Sequence, residues 1–198
     1  MIYRGDETGI DNSSNCERGF APKGQPPVLP VETKRERLNM LSALSVRGDI
    51  RFMLYEDSMN QQRLIQFMER LVRTTDRKVF LILDNLKVPR GKKAAAWLDK
   101  YRDKIELFFL PPYAPESNPD EYLNHALKLS IHSGDLPRIK CDIRHKTAPF
   151  MRTLQHSTDK VSAFFQHDQV SYIRPLAKLG KAVKIADTSN QRKAKCET

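Results

Sequence analysis

The chain is poor in cysteine and in long apolar runs, and each shortage excludes something. Three cysteines, Cys16, Cys141 and Cys196, stand in 198 residues. An odd number at such wide spacing suits neither a disulfide framework nor a zinc knuckle, so free thiols in a reducing compartment are expected. No window approaches the roughly eighteen consecutive apolar residues that a membrane span needs. The opening Met1-Ile2-Tyr3-Arg4-Gly5-Asp6 lacks the apolar centre of a secretory signal. A cytoplasmic protein without membrane contact is the expectation.

Against 34 Lys and Arg there are 24 Asp and Glu, a formal net charge of +10. A basic surplus draws polyanions by releasing their condensed counterions, so nucleic acid is the favoured partner. Hydrophobic residues make up 39% of the chain, enough for one cored domain with or without a tail.

Residues 2–10 predict a short strand closing on Asp6-Glu7-Thr8-Gly9. Residues 11–30 are polar and rich in Gly, Pro, Asn and Ser, which marks a loop or irregular hairpin. Within it Arg18 and Lys23 are cations on flexible backbone, either solvated or set against a DNA backbone. A second strand spans 38–46, Arg47-Gly48-Asp49 makes a hairpin turn, and a third strand covers 50–55. Without a secretion signal, Arg-Gly-Asp reads as a turn and not as an adhesion motif. Leu64, Phe67, Met68, Leu71 and Val72 recur at three- and four-residue intervals, the stripe of a helix over 60–74. The run Val79-Phe80-Leu81-Ile82-Leu83 predicts a strand covered on both faces. A helix over 91–101, a strand over 105–110 and a helix from Pro119 to about Ser133 follow. The last has Asn118 as its N-cap and Pro119 at the first helical position. One or two helices occupy 144–165, interrupted at Pro149, and a basic disordered tail fills 174–198.

The most specific text lies between two of these elements. The buried strand ends in Asp84-Asn85, and Leu110-Pro111-Pro112-Tyr113-Ala114-Pro115-Glu116-Ser117-Asn118-Pro119-Asp120-Glu121-Tyr122-Leu123 leads into the helix. Together they resemble the catalytic core of the mariner-like insertion-sequence transposases, over about residues 2–173. The resemblance implies an α/β, ribonuclease H-like domain over 1–173: a mixed sheet of three antiparallel strands then parallel strands, flanked by helices. The element order read above is the succession such a sheet requires. The resemblance also implies a catalytic domain without the N-terminal helix-turn-helix region of full-length members. Where members usually carry a histidine after the second aspartate, this chain has Pro89.

In that family two aspartates and a glutamate form the active site. The resemblance carries those roles, catalytic and metal-ligating, to Asp6, Asp84 and Glu121. Cutting a phosphodiester requires an activated water and relief of charge on the leaving oxygen, which two divalent ions about 3.5–4 Å apart supply. Two Mg²⁺ or Mn²⁺ ions are therefore expected, held by hard carboxylate oxygens. Arg90, Lys92 and Lys93 would lie near DNA phosphates, with a solvated helix start as the plainer alternative. Each acid also has a plainer reading: Asp6 as a strand-end turn residue, Asp84-Asn85 as an Asx turn, Glu121 in a capping box with Asn118. Asp120 reads as a helix-start acid favoured by the macrodipole. Tyr113 and Asn118 read as supports of the loop and helix.

The implied function is a metal-dependent DNA endonuclease and strand transferase acting on transposon ends. Its implied partners are double-stranded DNA, both transposon ends and target, and a second copy in a homodimer. A non-catalytic remnant that binds DNA or pairs with full-length transposase is the alternative. Another ribonuclease H-like nuclease is a third reading, which the proline-rich approach to Glu121 fits poorly.

Overall fold

A computed structural model describes residues 1–12, 22–24, 34–83, 91–110, 118–167 and 170. Among these, β1 (Ile2–Asp11), β2 (Arg37–Leu44), β3 (Ile50–Tyr55), β4 (Val79–Leu83) and β5 (Ile105–Phe109) form one sheet. Its order is β3-β2-β1-β4-β5. The first three strands meander antiparallel, and β4 and β5 add in parallel beyond β1. The crossovers contain α1 (Gln61–Arg73) and α2 (Lys92–Lys100), and α3 (Pro119–His132), α4 (Lys140–Gln155) and α5 (Thr158–Ala163) follow β5. The antiparallel-then-parallel succession expected from the sequence is present.

Local causes account for most of these elements. Gly48 turns the β2–β3 hairpin at φ 88°, a conformation that side chains with a Cβ rarely adopt. Its N–H closes the turn on the Ser45 carbonyl at 2.9 Å. The Asn60 side chain caps α1 by accepting the Arg63 N–H at 3.0 Å. Leu64, Phe67, Met68 and Leu71 then bury along one side of α1.

The sheet separates two apolar layers. Tyr3, Leu41, Ala43, Met53 and Leu81 pack with the α1 stripe, whereas Ile10, Leu38, Met40, Leu44 and Ile50 pack with α3, α4 and α5. Because strand side chains alternate, Tyr3 and Glu7 belong to the α1 layer and Asp6 and Ile10 to the α3 layer. The Tyr55 hydroxyl accordingly donates to Glu7 Oε1 at 2.5 Å on the α1 side.

The structure corrects three expectations. β1 runs on to Asp11, so Asp6 lies within the strand and not at its end. The cause is β2, which pairs with β1 from Arg4↔Leu44 as far as Asp11↔Arg37. The β4 run is fully covered on one face only. Val79, Leu81 and Leu83 are buried, while Phe80 and Ile82 are half-buried beside a Phe108 that is 44% exposed. Finally, α4 begins at Lys140 and continues through Pro149, and the helical run is interrupted at His156–Ser157. Proline removes one helical hydrogen bond and crowds the preceding turn. Here Ile143, Thr147, Met151 and Leu154 keep one face of α4 buried across it.

Among the described residues no helix is long and apolar enough to cross a membrane. Cys141 is a free, exposed thiol. The expected domain boundary at 173 and the tail 174–198 lie outside the described residues.

Candidate active site

Among the described residues the last pair of the parallel β1–β4 ladder is Gly5↔Leu83, and Asp6 is the next residue of β1. Glycine is needed there by close approach. A Cβ on Gly5 would meet the Ser42 carbonyl at 2.7 Å and Leu83 Cδ2 at 2.8 Å. The strands thus draw together immediately before the acid. Asp6 stands opposite Ser42 in the antiparallel register. Its Oδ1 accepts the Glu7 N–H at 2.7 Å, and its Oδ2 accepts Asn124 Nδ2 from α3 at 3.1 Å.

α3 starts on a buried cap. Asn118, 2% exposed, accepts the Asp120 N–H on its side chain at 3.3 Å, and the Glu121 N–H reaches the Asn118 carbonyl at 3.1 Å. Asp120, Leu123, Asn124, Leu127 and Ile131 form the buried stripe of the helix. Asp120 is an acid of the first turn of α3, and it faces the interior. It is 0% exposed, and its Oδ1 accepts Ser42 Oγ at 3.2 Å. Burial holds its carboxyl well above the ordinary range, and the negative charge of Asp6 adds to that. Asp120 Oδ2 and Asn124 Oδ1 are buried with no hydrogen-bond partner among the described residues.

Glu121 is exposed. It lies about 100° further around the helix than Asp120, beside the buried stripe. The structure so brings Asp6 against the first turns of the helix that carries Glu121. Asp84 lies outside the described residues, directly after Leu83. Among the described residues, no group of three or more His, Cys, Asp or Glu side chains could hold a metal ion. Asp6 and Glu121 offer only hard oxygen donors, which fit Mg²⁺ or Mn²⁺ and do not fit a thiophilic metal.

Of the expected DNA-contacting cations, Lys92 and Lys93 are exposed on the first turn of α2, and Lys23 is exposed in the segment 22–24. Lys92 and Lys93 border a cleft of ≈ 650 Å³ between α1 and α2, with Asn60, Gln61, Gln62 and Ile65. Arg18, Arg90 and Tyr113 lie outside the described residues.

Sequence reasoning missed Ser42, Asn124 and the burial of Asp120. One signal was present, since 120, 123, 124, 127 and 131 recur at helical spacing and three of them, Leu123, Leu127 and Ile131, are apolar.

The sheet and its flanking helices have the ribonuclease H-like architecture of a crystal structure of the catalytic domain of Mos1 mariner transposase. That match has 15% identity and a TM-score of 0.54, covering 86% of this chain and 81% of that one. A Mos1 mariner paired end complex with Mn matches at 17% identity and a TM-score of 0.59, covering 86% of this chain and 55% of that one. A pre-cleavage Mos1 transpososome matches at 14% and 0.59, with the same coverage. At such identities the likeness is one of fold, and the chain spans about half the length of the transposase in those complexes. No curated protein sequence matches the chain. The profile of the DDE superfamily endonucleases matches residues 1–144, a span that contains all five strands, Asp6 and the helix bearing Glu121, and the chain belongs to that family.

Proposed function

We propose that the chain is the catalytic domain of a transposase, a metal-dependent DNA endonuclease and strand transferase acting on transposon ends. The observation that carries this reading is the placement of Asp6. Its residue follows Gly5, the last described partner of β4, and its carboxylate lies against the helix that bears Glu121. Asp6, Asp84 and Glu121 would hold two Mg²⁺ or Mn²⁺ ions. Such ions, when bound, supply an activated water and relieve charge on the leaving oxygen.

The protein's own contribution is rigidity. The ladders on both sides of Gly5 fix the backbone before Asp6, and the Asn118 cap fixes where α3 begins. Lys92 and Lys93, with Lys23, Arg18 and Arg90, would neutralise phosphates and position the duplex without reading its sequence. Structures of similar fold include a Mos1 paired-end complex with the left transposon end, a strand transfer complex and a paired end complex with Mg. They support duplex DNA, a second copy of the chain and a divalent ion as its partners.

The test is Mn²⁺-dependent nicking of supercoiled plasmid by the full chain, with Mn²⁺ binding measured in the presence of duplex. Asp84→Asn and Glu121→Gln should abolish nicking while leaving the circular dichroism spectrum unchanged. Nicking that survives Asp84→Asn at the wild-type rate would remove this acid set from the reaction. Folded wild-type protein that neither binds Mn²⁺ nor nicks would end the reading.

A further inference from the structure

A carboxylate serves a metal well when other groups fix its orientation, and losing such a group typically costs about 10- to 100-fold in metal affinity or activity. Asp6 is gripped from two directions. Its own strand supplies the Glu7 N–H to Oδ1, and α3 supplies Asn124 Nδ2 to Oδ2. Rotation of the carboxylate would break at least one of these bonds. One turn earlier on the same helix face, Asp120 is tied to Ser42, the cross-strand neighbour of Asp6. α3 is thus fastened to β1 and β2 at positions 120 and 124, and Glu121 lies between the two fastenings.

Packing does not explain an asparagine at 124. The residue is 5% exposed on a stripe shared with Leu123 and Leu127, and its Oδ1 has no hydrogen-bond partner among the described residues. A buried acceptor left unmade costs about 1–3 kcal/mol, and a leucine of similar size would avoid that cost. Turning the amide over would set its oxygen against a carboxylate oxygen, two acceptors facing each other. The bond to Asp6 is what the amide accomplishes there.

We propose that Asn124 is a positioning residue for Asp6, holding its carboxylate in the orientation that ligates a divalent ion alongside Glu121. The inference rests on the metal-site reading above. It extends that reading to a side chain that touches neither metal nor DNA.

The experiment is Mn²⁺ calorimetry on the full chain with duplex present, paired with thermal melting in EDTA. Asn124→Leu should weaken Mn²⁺ binding about tenfold or more, while its metal-free melting temperature stays at or above wild type. In an Asp6→Asn background the same substitution should change Mn²⁺ affinity no further, because the two side chains act as one unit. Leu127→Ala, one turn on along the same stripe, should lower the melting temperature and leave Mn²⁺ affinity alone. A purely structural role for Asn124 would behave as Leu127 does. If Asn124→Leu fails to fold, Asn124→Ser replaces it; its shorter side chain falls short of Asp6, and the same loss is expected. Wild-type affinity in a folded Asn124 variant overturns the inference and leaves the metal site standing. Absent Mn²⁺ binding in the folded wild type overturns both.

Discussion

Ser42 Oγ donates to Asp120 Oδ1 at 3.2 Å, and both side chains are 0% exposed. An acid so placed keeps its proton to higher pH than in the unfolded chain, through burial first and the charge of Asp6 second. Its folded pKa therefore lies above the unfolded value of about 3.9. Between those two values the unfolded chain binds fewer protons than the folded one, so this contribution falls as pH rises. It is whole below the unfolded pKa and is lost on approach to the folded one. The expected outcome is that Asp120→Asn gains stability relative to wild type as pH rises from about 4. Unfolding free energies at several pH values check it. A difference that stays constant with pH would mean that Asp120 ionises alike in both states.

That pair also marks where the sequence stops being legible. The Gly48 turn, the Asn60 cap and the 79–83 run have local causes, and each is readable from a few neighbours. The spacing of Leu123, Leu127 and Ile131 identifies the buried face of α3, and 120 and 124 fall on it. What the sequence does not disclose is the partners, because Ser42 and Asp6 come from distant strands. Asp6 falls inside β1 and not at its end for a similar reason: the length of β1 is set by its pairing with β2, not by its own residues. Glu121 stands beside the buried stripe by helix phase alone. The role of Asp84 rests on the family resemblance.

Pro149 sits exposed inside α4. Replacing it with alanine restores a helical N–H and removes the ring from the preceding turn. Pro149→Ala should therefore stabilise the protein, by up to about 3 kcal/mol. The urea midpoint measures this. No gain would mean that the surrounding turn has fully adapted to the ring.

Gly5 lies where β2 and β4 both press on β1. Gly5→Ala would push a methyl group toward the Ser42 carbonyl and Leu83. A carbonyl in a ladder yields less readily than the end of a side chain, so a loss of about 1–3 kcal/mol is expected. Equilibrium unfolding reads it directly, and a change within about 0.5 kcal/mol would contradict the tight packing.

Lys92 and Lys93 project from the start of α2 into solvent. Each phosphate contact releases close to one counterion, so Lys92→Gln with Lys93→Gln should reduce the slope of log affinity against log salt by about 2. Fluorescence anisotropy with a duplex over a range of salt concentrations gives the slope. An unchanged slope would place the DNA contacts on other cations.

β1 is the first strand in the sequence and the middle strand of the sheet. One of its neighbours, β2, arrives soon after it, but the ladder that begins at Ile2↔Phe80 waits for β4. Pairings so distant in sequence close large loops and form slowly. A chain growing from its first residue can complete the antiparallel meander early, with Asp6 already incorporated. At that stage it has neither the parallel strand that pairs with β1 up to Gly5 nor the helix that grips the acid. A nascent or unfolded chain thus carries the acids without the arrangement. Any capacity to cut DNA would be confined to molecules that have finished folding.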